Sequence, residues 1–219
     1  MINTVVFDLD GTLLDTLEDL TDSVNYALST FSLSQRTIQE VRCFVGNGVE
    51  LLMERAVAGR LNEDDYKKCL ATFKSHYSEN MNNKTKPYDG MMDLVRCLVK
   101  DGYHVAIVSN KFDTAVKELN VVYFEGIFPV AIGASDVVAK KPAPDSVYEA
   151  LKQLGVTKES AIYVGDSDVD VMTAHNAGLP CVGVTWGFRD EELLKSMNAE
   201  YIIHKPLELL SILNGDYLC

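Results

Sequence analysis

The chain has 219 residues, of which 47% are hydrophobic and 24% charged, a composition that supplies a core and excludes an intrinsically disordered protein. Twenty lysines and arginines against 32 aspartates and glutamates give a net charge of −12, a field that repels phosphate backbones and argues against nucleic-acid binding. Any anionic substrate must therefore be met by local positive charge, from a few convergent side chains or a bound metal ion.

The first predicted strand, residues 4–7, runs into V-V-F-D-L-D-G-T. Asp8 and Asp10 then stand at i and i+2 at the carboxyl end of a strand, where an open parallel sheet presents its ligand crevice. Gly11 permits a tight exit, and Thr12 can offer its hydroxyl and backbone N–H to an anion. A solvated Asp-Gly turn is the bland alternative. From about residue 17 to 81 only helical patterns follow. Leu17, Leu20, Val24, Ala27, Leu28 and Phe31 keep a 3.6-residue period, as do Val49, Leu52, Met53 and Ala56, and a third helix is expected over 64–77. Between the first two of these, Gly46-Asn47-Gly48 lacks the third glycine of a dinucleotide fingerprint and reads as a turn whose N–H groups face the site, or as a simple helix cap. Arg55 either meets a substrate carboxylate or forms a surface salt bridge. The polar segment 80–87 ends in proline and reads as a hinge.

After the hinge, strands at 104–108, 130–133, 161–164, 181–184 and 201–203 alternate with helices at 91–99, 114–119, 147–154, 169–177 and 207–213. The expected fold is an α/β, Rossmann-like, doubly wound and mostly parallel sheet with an all-helical cap inserted after its first strand. The expected boundaries are 1–15 and 86–219 for the core and 16–85 for the cap.

The second strand ends in Ser109-Asn110-Lys111, a hydroxyl, backbone N–H groups and an ammonium suited to phosphate, although an ordinary loop turn fits as well. Past the third strand, Lys140-Lys141-Pro142 is a rare basic pair, stiffened by proline, in an acidic chain. The fourth strand ends in G-D-S-D-V-D, bringing Asp166, Asp168 and Asp170 to the start of a helix, where they could equally serve as helix caps. Two strand ends with carboxylates at one sheet edge make an oxygen-rich pocket suited to a hard divalent cation, and Mg²⁺ is the expected cofactor. His76, His104, His175 and His204 lack ligand spacing and are expected to be structural. Cys43, Cys69, Cys97, Cys181 and Cys219 form no C-x-x-C pair, and no apolar run approaches the ~20 residues that span a bilayer. Reduced thiols, a cytoplasmic location and no membrane partner are expected.

Four strand ends thus present D-x-D-G-T, a serine, a lysine and G-D-x-x-x-D, in the order of the haloacid dehalogenase superfamily, which the sequence resembles along its whole length. The helical insert resembles that of the subgroup with a cap after the first motif. The resemblance implies that Asp8 is the nucleophile toward phosphorus and Asp10 the general acid and then base. Ser109 binds the phosphoryl group, Lys141 neutralises charge, and Mg²⁺ is held by Asp8, the Asp10 carbonyl and Asp166, with Asp170 orienting them. Asp10 sets the chain apart from the superfamily's dehalogenases, which lack that second acid. The F-V-G-N-G-V-E-L-L-M-E-R-A stretch, S-N-K and V-T-W-G-F are similar to phosphoglycolate phosphatases, implying a magnesium-dependent phosphatase with an aspartyl-phosphate intermediate and a small phosphorylated metabolite as substrate, acting as a monomer or homodimer. A sugar-phosphate mutase, a pyrophosphatase and a phosphate-sensing or scaffold protein are the alternatives.

Overall fold

The computed structural model describes residues 2–215; Cys219 lies outside the described residues. Strand β1 (Thr4–Phe7) leads through a tight turn to β2 (Leu14–Asp15), and four helices follow: α1 (Leu17–Thr30), α2 (Ile38–Phe44), α3 (Val49–Val57) and α4 (Glu63–Asn80). The chain returns through β3 (Lys86–Pro87) and continues α5 (Met91–Lys100), β4 (His104–Phe112), α6 (Asp113–Phe124), β5 (Val130–Ala134) and α7 (Asp145–Leu154). Next come β6 (Ala161–Gly165), α8 (Asp168–Ala177), β7 (Cys181–Val184), α9 (Glu191–Ser196), β8 (Tyr201–Ile203) and α10 (Glu208–Leu213).

Six strands form one parallel sheet in the order β5-β4-β1-β6-β7-β8. The chain leaves β1 toward β4 and β5 on one side, then returns to lay β6, β7 and β8 on the other. The carboxyl ends of β4, β1 and β6 therefore flank the point where strand order reverses, the place where such sheets open a ligand crevice. Alternation along β1 feeds two layers: Val5 and Phe7 join the core with α5 and α6, whereas Val6 joins the core with α7 and α8. The first of these cores runs on through Leu9, Leu13 and Leu14 into the helical insert, where Leu20, Val24 and Leu28 of α1 and Phe73 and Tyr77 of α4 are buried. At roughly 1.5 to 3 kcal/mol per large apolar side chain, this continuous packing far outweighs any local helix propensity in the insert.

Three features differ from the sequence expectation. β2 and β3 pair antiparallel, Leu14 with Pro87 and Asp15 with Lys86, at the two crossings between sheet and insert; two-residue strands are too short to leave a periodic signature. The buried Asp19 carboxylate fastens the return crossing by accepting from the backbone N–H of Lys84 at 3.0 Å and Thr85 at 2.8 Å. Helix α2 was not expected, yet its signal is legible in T-I-Q-E: Thr37 and Glu40 form a reciprocal capping box. Strand β4 extends past residue 108 to Phe112, with an irregularity in its pairing to β5, so Ser109, Asn110 and Lys111 sit on the strand end rather than in a loop. No helix among the described residues is long and apolar enough to cross a membrane.

Candidate active site

After Phe7 the chain keeps the sheet ladder for one more step, Asp8 N–H donating to Val164 O at 2.9 Å, and this fixes the Asp8 side chain at the crevice. Gly11 then turns at φ +92°, a region costly for any other residue, and a side chain there would run into the Asp166 carboxylate and the Phe188 ring. The turn closes with Leu13 and Leu14 N–H groups donating to Leu9 O, both at 3.0 Å.

At the neighbouring strand end, Ser167 caps α8 and Asp170 completes the capping box. Helix capping and a place at the carboxylate cluster therefore coexist in Asp170. One of its oxygens accepts from Ser167 N–H and O–H at 3.1 and 2.6 Å, while the other faces Lys141 Nζ at 2.7 Å and Tyr163 O–H at 3.0 Å. A side chain at Gly165 would overlap Asp170, so the glycine is what lets α8 start this close to the sheet. Asp166 accepts from Phe188 N–H at 2.6 Å and from the Thr12 hydroxyl at 3.3 Å. Lys141 Nζ spends all three donors on Asp8 (2.6 Å), Asp170 (2.7 Å) and the Tyr163 hydroxyl (3.1 Å).

Asp8, Asp166 and Asp170, all buried, bring carboxylate oxygens within 4.8 Å of one another. Three carboxylates face one ammonium, and the imbalance is visible in their proton affinities. Burial, with repulsion from Asp170, pushes the Asp166 carboxyl up to about 7, and burial holds Asp8 well above the ordinary range against the pull of Lys141. For Lys141, burial alone would favour the neutral amine, but Asp170 and Asp8 outweigh it and raise its pKa. An oxygen-only set with excess negative charge and little solvent fits a hard divalent cation.

A carboxyl whose folded pKa exceeds its unfolded one favours the folded state at low pH, and that contribution is lost as pH rises through the folded value. With Asp166 moved from an ordinary 3.8 to about 7, the Tm of the metal-free protein should fall on the order of 5 °C between pH ~5 and ~7. Saturating divalent cation, or Asp166→Asn, should flatten the slope. A thermal melt series in chelator checks this, and an equal slope in all three samples would contradict it.

A cavity of about 50 Å³ covers this cluster. Its floor is Asp8, Asp10, Ser109, Asn110, Lys111, Lys141, Asp166, Ser167 and Asp170, and its roof is Leu20, Val45, Gly46, Gly48, Val49 and Leu52 of the insert, with Phe188 at the side. The sheet and the insert are tied around it. Arg42 donates to Gly187 O (2.6 Å) and Phe188 O (2.8 Å), and Arg189 donates in return to Arg42 O (2.9 Å) and Val45 O (2.7 Å). Glu50 pairs with Lys140 at 2.7 Å; burial would raise its carboxyl, but the hydrogen bonds from Lys140 and Lys74 hold it down at about 2.

Several residues stand differently from their sequence expectation. Thr12 does not line the cavity: the turn takes its N–H, which donates to Leu9 O, and Asp166 takes its hydroxyl. Asn110 lines it, but its amide donates to Gly46 O (3.1 Å) and Lys141 O (3.0 Å) and accepts from Lys141 N–H (2.8 Å), making it a brace between insert and lysine loop. Lys111 faces Asp10 at 2.8 Å and the Tyr77 hydroxyl at 2.6 Å. Arg55 and Asn47 stay outside the lining; the guanidinium donates to Phe44 O (2.8 Å) and Asn47 Oδ1 (3.2 Å) and so shapes the Gly46 to Gly48 turn from behind. Tyr77, Tyr163, Arg42, Arg189 and the Phe188 N–H carry no motif signal. The tyrosines read as core and a backbone donor is invisible to side-chain patterns; V-T-W-G-F was the only pointer toward the Phe188 segment.

The family model for haloacid dehalogenase-like hydrolases matches residues 5–184. A phosphoglycolate phosphatase of Mesorhizobium japonicum is 34% identical over 206 residues, covering 91% of this chain and 90% of its own. Another, of Haemophilus influenzae, is 32% identical over 215 residues, covering 94% and 96%. The crystal structure of a predicted phosphoglycolate phosphatase from Haemophilus somnus superposes with a TM-score of 0.91 at 30% identity, covering 97% of this chain and 98% of its own.

Proposed function

The chain belongs to the haloacid dehalogenase-like hydrolases and is a phosphoric monoester hydrolase, and from that premise we propose that it cleaves a small phosphate monoester, 2-phosphoglycolate being the first candidate, through a phosphoryl group carried on Asp8. The observation that carries the reading is the buried Asp8 carboxylate held at 2.6 Å by Lys141 in a cavity of about 50 Å³. That volume holds on the order of a few water molecules, which favours a short leaving group over a sugar ring.

Asp8 supplies the attacking oxygen. The ester P–O bond breaks as the Asp8–phosphorus bond forms, and the Asp10 carboxyl gives its proton to the departing oxygen. Water then loses a proton to Asp10 and attacks phosphorus, releasing phosphate and restoring Asp8. Lys141 holds Asp8 in one orientation and offsets charge on the phosphoryl oxygens, and the Ser109 hydroxyl is placed to donate to them. Mg²⁺, held by Asp8, Asp166 and the Asp10 carbonyl, would further offset that charge. Asp170 keeps Lys141 and Ser167 in place. The insert acts as a cap that excludes bulk water, with the paired arginines at its rim.

Phosphate release from 2-phosphoglycolate, sugar phosphates, nucleotides, pyrophosphate and an aryl phosphate, with Mg²⁺, tests the reading. The highest kcat/KM is expected for 2-phosphoglycolate. Isomerisation of a sugar phosphate without net phosphate release would establish a mutase instead, preference for pyrophosphate a pyrophosphatase, and no turnover of any ester a binding protein.

A further inference from the structure

An ammonium group has three N–H donors. In Lys141 all three are taken within the sheet domain, by Asp8, Asp170 and Tyr163. In Lys111 two are taken, by Asp10 at 2.8 Å and by the Tyr77 hydroxyl at 2.6 Å, and the third has no partner among the described residues. The Lys111 side chain is only 2% exposed, yet it lines the cavity. Its position is fixed from the insert side: Tyr77 is fully buried on α4, stacks on Phe73 and meets the edge of Phe112, and Lys111 Nζ lies 4.6 Å from the Tyr77 ring centre.

The other cations near the site are committed elsewhere. Arg42 and Arg189 bind backbone carbonyls, Arg55 binds Phe44 and Asn47, and Lys140 binds Glu50. None of them lines the cavity, and the side chains of its roof are apolar. Within that space Lys111 is the cation with an unspent donor, and it sits against Asp10, the group that serves the leaving oxygen.

We infer that Lys111 reads negative charge on the leaving group, so that the preferred substrates are monoesters whose alcohol carries a carboxylate directly on the ester carbon. Tyr77 is a positioning residue that fixes the Lys111 ammonium from the insert. The inference rests on the hydrolase reading above and assigns leaving-group recognition to Lys111 in place of Arg55.

The test compares kcat/KM for 2-phosphoglycolate with that for 2-hydroxyethyl phosphate, an uncharged analogue of the same chain length, in wild type, Lys111→Met and Tyr77→Phe. Wild type should prefer the carboxylate. Loss of one hydrogen bond to a charged group corresponds to a roughly 10 to 150-fold drop in that preference for Lys111→Met. Tyr77→Phe, which keeps the ring, should lower the preference by a smaller factor, and it carries the test if Lys111→Met fails to fold. Equal wild-type efficiency on the two esters, or an unchanged ratio in the folded variants, would overturn the assignment while leaving the hydrolase reading intact. Absence of phosphate release from both esters and from an aryl phosphate in wild type would instead overturn the hydrolase reading itself.

Discussion

Asp8→Asn is expected to lower phosphate release by about 10⁴-fold or more while leaving the fold intact. The amide has nearly the volume of the carboxyl but cannot act as the nucleophile, and no second carboxylate can take over its position. Asp170 is held on both oxygens by Lys141, Tyr163 and Ser167, and Asp166 by Phe188 and Thr12. The thermal stability of the metal-free variant should equal or exceed that of wild type. Burial, with the charges of Asp170 and Asp166, already works against ionisation of Asp8, so a neutral side chain there relieves repulsion. Steady-state turnover by a deamidation-free preparation and a thermal melt in chelator check both halves. Rapidly quenched wild type should also yield a phosphorylated peptide containing Asp8, absent from the variant. Near-wild-type turnover would remove Asp8 from the nucleophile's role.

Lys141→Met should damage activity and stability together, which separates it from the Asp8 substitution. Without the ammonium, Asp8 and Asp170 lose their buried cationic partner. Breaking a buried ion pair from one side costs about 3 to 5 kcal/mol, or a fall in Tm on the order of 10 °C in a protein of this size. Loss of charge stabilisation around the transferring phosphoryl group should lower kcat a further 10² to 10³-fold, roughly what one preorganised electrostatic donor contributes. Lys141→Arg should not restore activity. The three partners converge on a single nitrogen, and a planar guanidinium spreads its donors over a larger frame. Divalent cation should recover part of the lost stability, since it answers the same excess of negative charge. A variant as stable as wild type in chelator would show that the carboxylate cluster does not depend on this lysine.

Much of the architecture is legible in the amino-acid sequence. The sheet strands 4–7, 181–184 and 201–203 have the ends expected of them, because short β-branched runs between turn residues leave few alternatives. Asp8, Asp10, Ser109, Lys141, Asp166 and Asp170 converge on one cavity because each lies at or after the carboxyl end of a strand, and those ends share one sheet edge. The chemistry of that edge, oxygen-rich and short of positive charge, follows from residue types alone.

The partners inside the crevice did not follow. Lys111 was readable as a phosphate ligand, and only the packing of α4 over β4 turned it toward Asp10 and Tyr77. Thr12 and Asn110 have side chains suited to anions, but Asp166 and the brace to Gly46 and Lys141 had already used their donors. Arg55 has the right chemistry for a carboxylate and stands behind the turn instead of inside the cavity. Sequence order determines which chemical groups arrive at the sheet edge, since strand direction is set by local pattern and connectivity. Which donors remain unspent there depends on contacts between residues far apart in the chain, such as the 101 positions separating Asp10 from Lys111, and only the packing of the insert on the sheet decides those.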